Sequence, residues 1–427
     1  MRRSMLYQRW REVAAGLSGE RALVDLGAGR SWTFSQLAAE AERLEVPAGR
    51  IVYPRGDGAT FVLEVLRGWR QGAVVCPLED GQAEAAFGRL PGAVAHVKTT
   101  SATTRVARSV AFTATQLAAD ATNIVATMGL RRDWPNLGAI SLAHSYGFSN
   151  LVLPLLLHGI PLVLVGSRLP EAVRRAGEAL PGLTLPAVPS LWRAWHDANA
   201  VPTGTRLAIS AGAPLPLPLE QEVFRQRHLK IHNFYGATEC GGIAYDGTEV
   251  PRTEASVVGC AMSGVQLSTN AEGCLRVEGA NVASGYWPEA DANLGSGHFQ
   301  TSDQVELGLD GMVRFLGRNS EVINVAGRKV VPEEVERVLQ EHPGVRQCVV
   351  LGVPRRGAEH GERIVAVIVA EDGVRRETLE SFLSSRVPDW QRPGDWWFVE
   401  DLMPSARGKV IRSDWRRRFL ETTDRGG

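Results

Sequence analysis

Residues 235–239 place three chemically different side chains within one short segment. Tyr235 supplies an aromatic ring, Thr238 a hydroxyl and Glu239 a carboxylate, and Gly236 follows the aromatic residue at a predicted strand end. An aromatic ring can stack on a flat base, and a carboxylate together with phosphate oxygens suits Mg²⁺. The segment is therefore able to serve one nucleotide, although a surface turn with a packed tyrosine would contain the same residues.

Lysine is rare in this chain, so each lysine position is informative. The lysines are Lys98, Lys230, Lys329 and Lys409, and arginine supplies the rest of the 47 basic side chains. Lys409 lies in the segment PSARGKVIR near the end of the sequence, where a lysine is a flexible point charge. The alternative interpretation is a solvated lysine in a basic tail.

Composition limits the class of protein. The chain has 427 residues, of which 44% are hydrophobic and 22% charged, as is typical of a folded globular protein. Its 47 basic and 47 acidic residues give no net charge, so the electrostatic footprint of a nucleic-acid-binding protein is absent. Five widely spaced cysteines without a CxxC motif argue against a disulfide framework and a zinc site and predict a reducing, cytoplasmic location.

Neither a signal peptide nor a membrane span is predicted. Residues 1–17 lack the apolar core of a signal peptide and predict an amphipathic helix. The most apolar stretch, residues 151–166, is interrupted by Pro154, His158 and Pro161, far short of a ~20-residue span.

The candidate site residues require a layered scaffold. From residue 23 to about residue 166, short β-type runs such as ALVDL, RIVYP, AVVCPL and GAISL alternate with the helical stretches TFSQLAAEAERL and TFVLEVLRGWRQG. The alternation resumes with PLVLVG, SLWRAWHDA, RLAIS and KIHNFYG, and it is typical of α/β layers. The sequence therefore predicts one large α/β domain over residues 1–316.

A smaller α+β domain is predicted over residues 321–427. It starts with a turn-rich segment, and Pro332 then opens a helix with apolar residues on one face. The predicted strands are QCVVLGV, RIVAVIVA and WWFVEDL, with a second helix at residues 376–386. Residues 317–320 would form a tight hinge about which the small domain rotates.

Four short motifs, in this order along the chain, resemble those of the adenylate-forming superfamily, which contains acyl-CoA synthetases, peptide-synthetase adenylation domains and luciferases. They are NFYGATE at residues 233–239, TSD at residues 301–303 with Gly311, GR at residues 317–318, and GK at residues 408–409. The resemblance extends over nearly the whole chain and includes GAVVCPL, SAGAPLP and GYWPEA. It implies a large layered α/β domain followed by a small mobile α+β domain.

The resemblance implies one nucleotide site at residues 235–239. By that resemblance Tyr235, followed by Gly236, stacks on adenine, Thr238 contacts phosphate, and Glu239 holds Mg²⁺.

Two further segments complete that nucleotide site by the same resemblance. Asp303 would accept hydrogen bonds from the ribose hydroxyls, and Arg318 would contact the ribose or the phosphate. The loop that lies against adenine would consist of Gly212, Ala213 and Pro214. Taken singly, Asp303 could equally cap a turn, and a loop of small residues after a strand is common.

The resemblance also assigns the catalytic and thiol-side residues. Lys409 would reach the carboxylate and the α-phosphate during adenylation, where it meets the developing negative charge. His144 stands where amino-acid-activating relatives carry an aspartate, and HSYGF resembles the HSFG of fatty acyl-CoA and acyl-carrier-protein synthetases. Ser320 would lie in the hinge and Gly327 in the pantetheine tunnel. A histidine packed under a helix is the alternative for His144.

The phosphate loop departs from the pattern of the superfamily. Where relatives read roughly TSGTTGxPKG, this chain reads TSATTRVARS at residues 100–109, without the loop glycines, the proline and the lysine. The hydroxyl residues that remain are Thr100, Ser101, Thr103 and Thr104. Arg105 and Arg108 add positive charge, so the loop is either an arginine-based clamp for phosphates or a decayed ATP site.

The expected function is ATP- and Mg²⁺-dependent activation of a carboxylic acid, fatty or otherwise lacking an α-amino group. The acyl group would then pass to the thiol of CoA or to the phosphopantetheine of an acyl carrier protein. The alternatives are an amino-acid-activating domain, a catalytically weakened paralogue that binds acyl groups or a carrier protein, and a luciferase-type monooxygenase.

Overall fold

The structure is a computed structural model that describes residues 4–45, 49–84, 87, 90–99, 108–325, 328–354, 361–402 and 410–424. The α-helices in these ranges are α1 (Met5–Gly16), α2 (Phe34–Arg43), α3 (Ala59–Gln71), α4 (Ala114–Met128), α5 (Ser145–Gly147), α6 (Leu153–His158), α7 (Pro170–Glu178), α8 (Pro189–Asp197), α9 (Leu217–Arg227), α10 (Pro332–Gln340), α11 (Arg376–Ser384) and α12 (Arg412–Asp424). A π-helical turn covers Phe148–Val152, and 3₁₀ turns cover Asn319–Glu321 and Asp389–Gln391.

The strands form one large sheet and several small ones. They are β1 (Arg21–Asp25), β2 (Arg30–Thr33), β3 (Ile51–Val52), β4 (Val74–Val75), β5 (Val94–Thr99), β6 (Ser109–Thr113), β7 (Asn136–Gly138), β8 (Leu162–Leu164), β9 (Leu183–Ala187), β10 (Thr205–Ala211), β11 (Ile231–Ala237), β12 (Gly241–Tyr245), β13 (Val257–Ala261), β14 (Val265–Thr269), β15 (Cys274–Gly279), β16 (Gly285–Trp287), β17 (Leu294–Gly295), β18 (His298–Leu307), β19 (Met312–Arg318), β20 (Ile323–Val325), β21 (Arg328–Val330), β22 (Val345–Pro354), β23 (Glu362–Ala370) and β24 (Asp395–Phe398).

Several helices begin where the sequence supplies a cap. At α2, the Thr33 side chain accepts from the backbone N–H of Gln36, and the Gln36 side chain accepts from that of Thr33. Thr113 and Gln116 repeat this capping box at α4. Pro332 occupies the first turn of α10, as the sequence predicts.

The large sheet has the strand order β14-β15-β18-β19-β13-β12-β11-β10-β9-β7-β8-β1-β2, with β17 beside β18. Strands β9, β10 and β11 pair in parallel, whereas β11, β12 and β13 pair antiparallel. The carboxyl ends of β10 and β11 therefore meet at one edge of the sheet, which brings Gly212 next to residues 235–239. A second sheet, β16-β6-β5-β4-β3, carries the strands on both sides of residues 100–108.

The small domain has its own apolar core. Strands β22, β23 and β24 form a three-stranded sheet, and β20 and β21 form a hairpin. Val335 and Leu339 of α10 pack with Leu379 and Leu383 of α11 against Val350 of β22. The predicted architecture, a large α/β domain followed by a smaller α+β domain, is confirmed, and the predicted hinge at residues 317–320 spans the end of β19 and the following 3₁₀ turn.

One local prediction was wrong, and one helix was not predicted. The run GAISL is not a strand, because β7 ends at Gly138 and the N–H of Leu142 donates to Asp57 Oδ1 at 2.8 Å instead of to a neighbouring strand. The basic tail contains the helix α12, whose Trp415 and Phe419 pack against Trp397 with ring centroids 5.4 and 5.7 Å apart. In the sequence, the many charged residues of α12 make this apolar face difficult to recognise.

Two expectations from the sequence concern the cysteines and the membrane-spanning helices. The five cysteines all fall within the described ranges, and each has a free thiol. A search of the described helices for one long and apolar enough to cross a membrane gives none.

Arg412 lies at the centre of an acidic cluster near the predicted hinge. Its guanidinium pairs with Glu333 and Glu336 at 2.7 Å each and also with Glu321. Glu321 lies 3.8 Å from Arg318 of β19. Burial raises the pKa of Glu333 to about 6. The Arg412 guanidinium thus offsets three clustered carboxylates.

We expect Arg412→Gln to lower the free energy of unfolding by roughly 3–5 kcal/mol at neutral pH, because the clustered carboxylates lose their counter-charge. A carboxyl group with a raised pKa in the folded state destabilises the fold as the pH rises through that pKa. The loss should therefore be smaller at about pH 5, where Glu333 is protonated, than at about pH 8. Urea unfolding at both pH values measures the difference.

Arg417→Gln is the matched control, since Arg417 lies on the same helix and forms an exposed pair with Asp414. It should change stability little at either pH. Equal losses in the two variants would contradict a central role for Arg412.

Candidate active site

A cavity of about 820 Å³ opens at the carboxyl ends of β10 and β11, beside β18, β19 and the segment after His144. Predicted site residues that line it are Arg108, His144, Gly212, Gly236, Thr238, Glu239, Asp303, Arg318 and Ser320. These residues are far apart in the sequence. The fold therefore brings most of the predicted site together around one space.

Asp303 is held from two sides at one end of the cavity. Tyr235 Oη donates to one carboxylate oxygen at 2.5 Å, and Arg318 Nε donates to the other at 2.9 Å. Asp303 and Arg318 are directly paired in the antiparallel β18–β19 ladder, which places their side chains on the same face. Burial and the charge of Asp303 raise the pKa of Tyr235 well above its usual value, so its phenol keeps the proton that it donates. The result is a fixed carboxylate with lone pairs for a diol.

Glu239 is a second carboxylate of the cavity. The Tyr286 hydroxyl donates to its Oε1 at 2.9 Å, and no other described residue donates a hydrogen bond to its Oε2. Burial raises the pKa of Glu239, and the Tyr286 hydrogen bond lowers it. The described ranges contain no group of three His, Cys, Asp or Glu residues that could enclose a metal. Mg²⁺ commonly takes one or two carboxylates together with substrate phosphates, so Glu239 fits its predicted role.

Arg108 lies on the wall of the cavity just before β6. Its guanidinium lies 3.4 Å from the ring centroid of Tyr286, and Nη1 donates to Asp291 Oδ2 at 2.9 Å. Asp291 and Tyr286 also line the cavity. The positive charge of Arg108, which is expected to replace the lysine of the relatives' phosphate loop, is therefore present at the cavity and is paired with the Asp291 carboxylate.

His144 caps the short helix α5. Its Nδ1 accepts from the backbone N–H of Tyr146 at 3.3 Å, which places the ring proton on Nε2. The following π-helical turn brings Ser149 and Asn150 to the cavity wall. Such turns occur frequently at functional sites.

Three residues that are predicted to contact adenine do not line the cavity. Gly212 lines the cavity with φ of +87°, a conformation that favours glycine, whereas Ala213 and Pro214 do not line it, and their contact with adenine remains a prediction. Tyr235 is also absent from the cavity wall, since its hydroxyl is bonded to Asp303 and its ring lies 6.2 Å from that of Phe315. Stacking of Tyr235 on adenine remains a prediction.

Some predicted residues lie outside the described ranges, and their roles remain predictions. They are Thr100, Ser101, Thr103, Thr104, Gly327 and Lys409.

Sequence reasoning missed three residues at or near the cavity. Tyr286 and Asp291 fix Glu239 and Arg108, although GYWPEA was noted only as a family segment. Lys98 is buried behind the cavity wall, where its ammonium donates to Ser149 at 3.0 Å. The rarity of lysine was the signal that could have identified it.

Curated relatives include CoA ligases. A feruloyl-CoA synthase from Amycolatopsis is 30% identical over 319 residues, which are 70% of this chain and 64% of that protein. A probable 2-succinylbenzoate–CoA ligase from Mycobacterium tuberculosis is 31% identical over 347 residues, 78% of this chain and 86% of the relative. The chain thus spans less than two thirds of the feruloyl-CoA synthase.

Solved structures share the fold. The o-succinylbenzoate CoA synthetase of Bacillus subtilis, in complex with its acyl-adenylate intermediate, has a TM-score of 0.83 at 20% identity and covers 96% of this chain and 97% of its own. ATP-bound MatB from Rhodopseudomonas palustris has a TM-score of 0.84 at 20% identity, covering 97% and 99%.

The family profiles match both parts of the chain. The AMP-binding enzyme profile matches residues 69–287, and the profile of the AMP-binding enzyme C-terminal domain matches residues 334–409. The first match covers half of the chain and contains Arg108, His144 and Glu239. On these matches and the fold, the chain belongs to the AMP-binding, or adenylate-forming, enzyme family.

Proposed function

We propose that this chain uses ATP to convert a carboxylic acid into an acyl-AMP and then transfers the acyl group to a pantetheine thiol. The observation that carries the proposal is the placement of the Asp303–Arg318 pair, Glu239 and His144 around one cavity. The CoA-ligase names of the curated relatives support it.

In the first half-reaction, a carboxylate oxygen of the acid attacks the α-phosphorus of ATP and pyrophosphate leaves. Asp303 accepts hydrogen bonds from the ribose hydroxyls and thereby fixes the nucleotide. Thr238 donates its hydroxyl to a phosphate oxygen, and Arg108 offers positive charge to the leaving pyrophosphate. Glu239, with phosphate oxygens, would hold Mg²⁺, which withdraws negative charge from the phosphates.

The acid occupies the end of the cavity that contains His144. The wall residues of this end are His144, Ser145, Tyr146, Ser149, Asn150, Phe234, Gly241 and Gly242. None of these eight lining residues is Asp or Glu, so they offer no carboxylate for an α-ammonium group. This favours an acid without an α-amino group over an amino acid.

In the second half-reaction, the thiol sulfur attacks the acyl carbon, the thiol proton is released and AMP leaves. Rotation of the small domain about Ser320 would replace Lys409 at the cavity with the surface that carries Gly327. Ser320 lines the cavity, and its hydroxyl lies 3.4 Å from that of Ser302, so rotation there would alter the cavity wall directly. CoA is the acceptor that the relatives' names favour; an acyl carrier protein is the other candidate.

The function is tested by acid-dependent exchange of labelled pyrophosphate into ATP, followed by CoA-dependent release of AMP. Asp303→Asn keeps the size of the side chain but removes the charge that Arg318 pairs with, and should abolish most of the exchange. Asp310→Asn is the control, because Asp310 pairs with Arg314 on the exposed side of the same hairpin. ATP binding without exchange for any acid would contradict the ligase function and favour the weakened paralogue.

We expect Arg108→Ala to weaken ATP binding by about tenfold or more, because a charge-assisted contact to phosphate is lost. Asp291→Asn releases the Arg108 guanidinium from its carboxylate partner and should leave ATP binding unchanged or tighter. Calorimetric titration of ATP at low and high salt measures both. An unchanged affinity in Arg108→Ala would limit this residue to a structural role with Asp291 and Tyr286.

A further inference from the structure

Lys98, Asp120 and Ser149 form a polar cluster beneath one wall of the cavity. Lys98 Nζ donates to Ser149 Oγ at 3.0 Å, and Ser149 Oγ donates to Asp120 Oδ2 at 2.7 Å. Lys98 and Asp120 are 3.8 Å apart. The three residues come from β5, α4 and the π-helical turn, and of the three Ser149 lines the cavity.

The cluster lies at the end that receives the acid in the proposed function. The backbone N–H of Gly242, another residue of that wall, donates to Asp120 Oδ1 at 3.2 Å. Burial lowers the pKa of Lys98, while the carboxylates of Asp120 and Glu239 raise it. Glu239 also interacts electrostatically with Asp303. Glu239, which lines the cavity, therefore interacts electrostatically with both Asp303 and Lys98.

A second buried lysine shows how a structural lysine is paired in this chain. Lys230 Nζ donates to both Glu220 and Asp246, and Arg252 completes the network with Glu220. Lys98, in contrast, has one hydrogen-bond partner among the described residues, the Ser149 hydroxyl. A buried ion pair contributes little net stability compared with apolar side chains, so stability alone does not account for the Lys98 cluster.

Aromatic rings pack beside the cluster. His96 and Phe148 are fully buried with centroids 4.4 Å apart, and Lys98 Nζ lies 4.7 Å from the buried Phe112 ring. Buried polar and aromatic side chains therefore lie beside Ser149. A long alkyl chain that extended past Ser149 toward Lys98 would have to displace a buried ion pair and its aromatic neighbours.

The hydrogen bonds of the cluster fix what Ser149 can offer to a ligand. Its proton is committed to Asp120, and one lone pair of Oγ accepts from Lys98. The remaining lone pair of Oγ is a hydrogen-bond acceptor. A hydroxyl group is the simplest neutral hydrogen-bond donor that a carboxylic acid could direct at this lone pair of Ser149.

We propose that this end of the cavity selects a compact carboxylic acid with a hydroxyl group at its far end. Ser149 is the acceptor for that hydroxyl, and Lys98 and Asp120 are positioning residues that fix the direction of its lone pair. This substrate class depends on the proposed function, which places the acid at this end.

The test compares matched acids that differ by one hydroxyl. Pyrophosphate exchange is measured with para-hydroxybenzoate against benzoate, para-hydroxycinnamate against cinnamate, and palmitate. In the wild type, the hydroxylated member of at least one pair should have a kcat/KM about tenfold or more above its partner, and palmitate should be poorest. Ser149→Ala should bring the two kcat/KM values of that pair together, because only the hydroxylated acid loses a hydrogen bond.

The double variant Lys98→Met/Asp120→Asn removes both buried charges together and avoids leaving either one unpaired. It should fold and show a reduced preference for the hydroxylated acid, whereas a merely structural cluster would alter stability and leave the ratio unchanged. A preference for palmitate, or an undiminished hydroxyl preference in Ser149→Ala, would overturn the proposal.

Calorimetric titration of the same acids in the presence of AMP separates this proposal from the ligase function. Binding that is tighter for a hydroxylated acid in the wild type, and equal for both acids in Ser149→Ala, supports the site even if exchange is absent. Equal binding of the paired acids to the wild type, or no binding of any of them, would overturn it.

Discussion

Lys409→Ala is expected to lower the rate of acyl-AMP formation by roughly a hundredfold to a thousandfold, the range seen when one charge-stabilising group is removed from a transition state. Thioester formation from supplied acyl-AMP should stay close to the wild-type rate. The reason is that negative charge moves onto pyrophosphate only during adenylation, and a contact made only in that transition state affects that step alone.

Single-turnover measurements of the two half-reactions provide this comparison. Arg417→Ala is a suitable control, because Arg417 is an exposed cation in the same C-terminal stretch. Equal loss of both half-reactions in Lys409→Ala would remove the adenylation role. Since Lys409 lies outside the described residues, this role comes from the family resemblance and the rarity of lysine.

Glu239→Gln is expected to lower the apparent affinity for Mg²⁺ by about 10–100-fold or more and to reduce adenylation at low Mg²⁺ to a small fraction of the wild-type rate. The substitution keeps the volume of the side chain and an oxygen that can accept from Tyr286, but it removes the negative charge. Exchange rates measured over a range of Mg²⁺ concentrations give the shift.

Unlike Mg²⁺ affinity and adenylation, the stability of the fold should not fall in Glu239→Gln. Because burial raises the pKa of Glu239, ionisation of this carboxyl costs folding free energy as the pH rises through that pKa. The variant should be at least as stable as the wild type at about pH 8, and its advantage should shrink at acidic pH, where the wild-type carboxyl is protonated. Glu278→Gln, an exposed residue paired with Arg276, is the control. A large fall in melting temperature with a normal Mg²⁺ response would make Glu239 a structural residue.

Much of the fold was predictable because local signals agreed. The stretches TFSQLAAEAERL and TFVLEVLRGWRQG and the helix that Pro332 opens were predicted as helices, and the structure confirms them as α2, α3 and α10. α12 was missed because arginines obscure the apolar positions Trp415 and Phe419, which are buried only by packing on the small domain. The strand prediction for GAISL failed because β7 ends at Gly138 and the backbone N–H of Leu142 donates to the distant carboxylate of Asp57.

The candidate site was predictable where motifs carried its chemistry. Asp303, Arg318 and Glu239 were named from short segments, and the structure places all three on one cavity. The Tyr235–Asp303 hydrogen bond was not predictable, because it depends on which face of the twisted sheet the ring occupies.

The sequence by itself determined the layered α/β architecture, the family and the residue types of the candidate site, since each depends on local periodicity or on short motifs. The tertiary structure alone decided how Lys98, Asp120 and Ser149 meet, because they come from a strand, a helix and a π-helical turn that no short-range pattern connects. It also decided that Lys98 is buried beneath the cavity wall while Lys230 is buried in a complete ion-pair network. The two lysines differ in where they are buried and in which residues they pair with. Both properties depend on packing between segments that are distant in the chain.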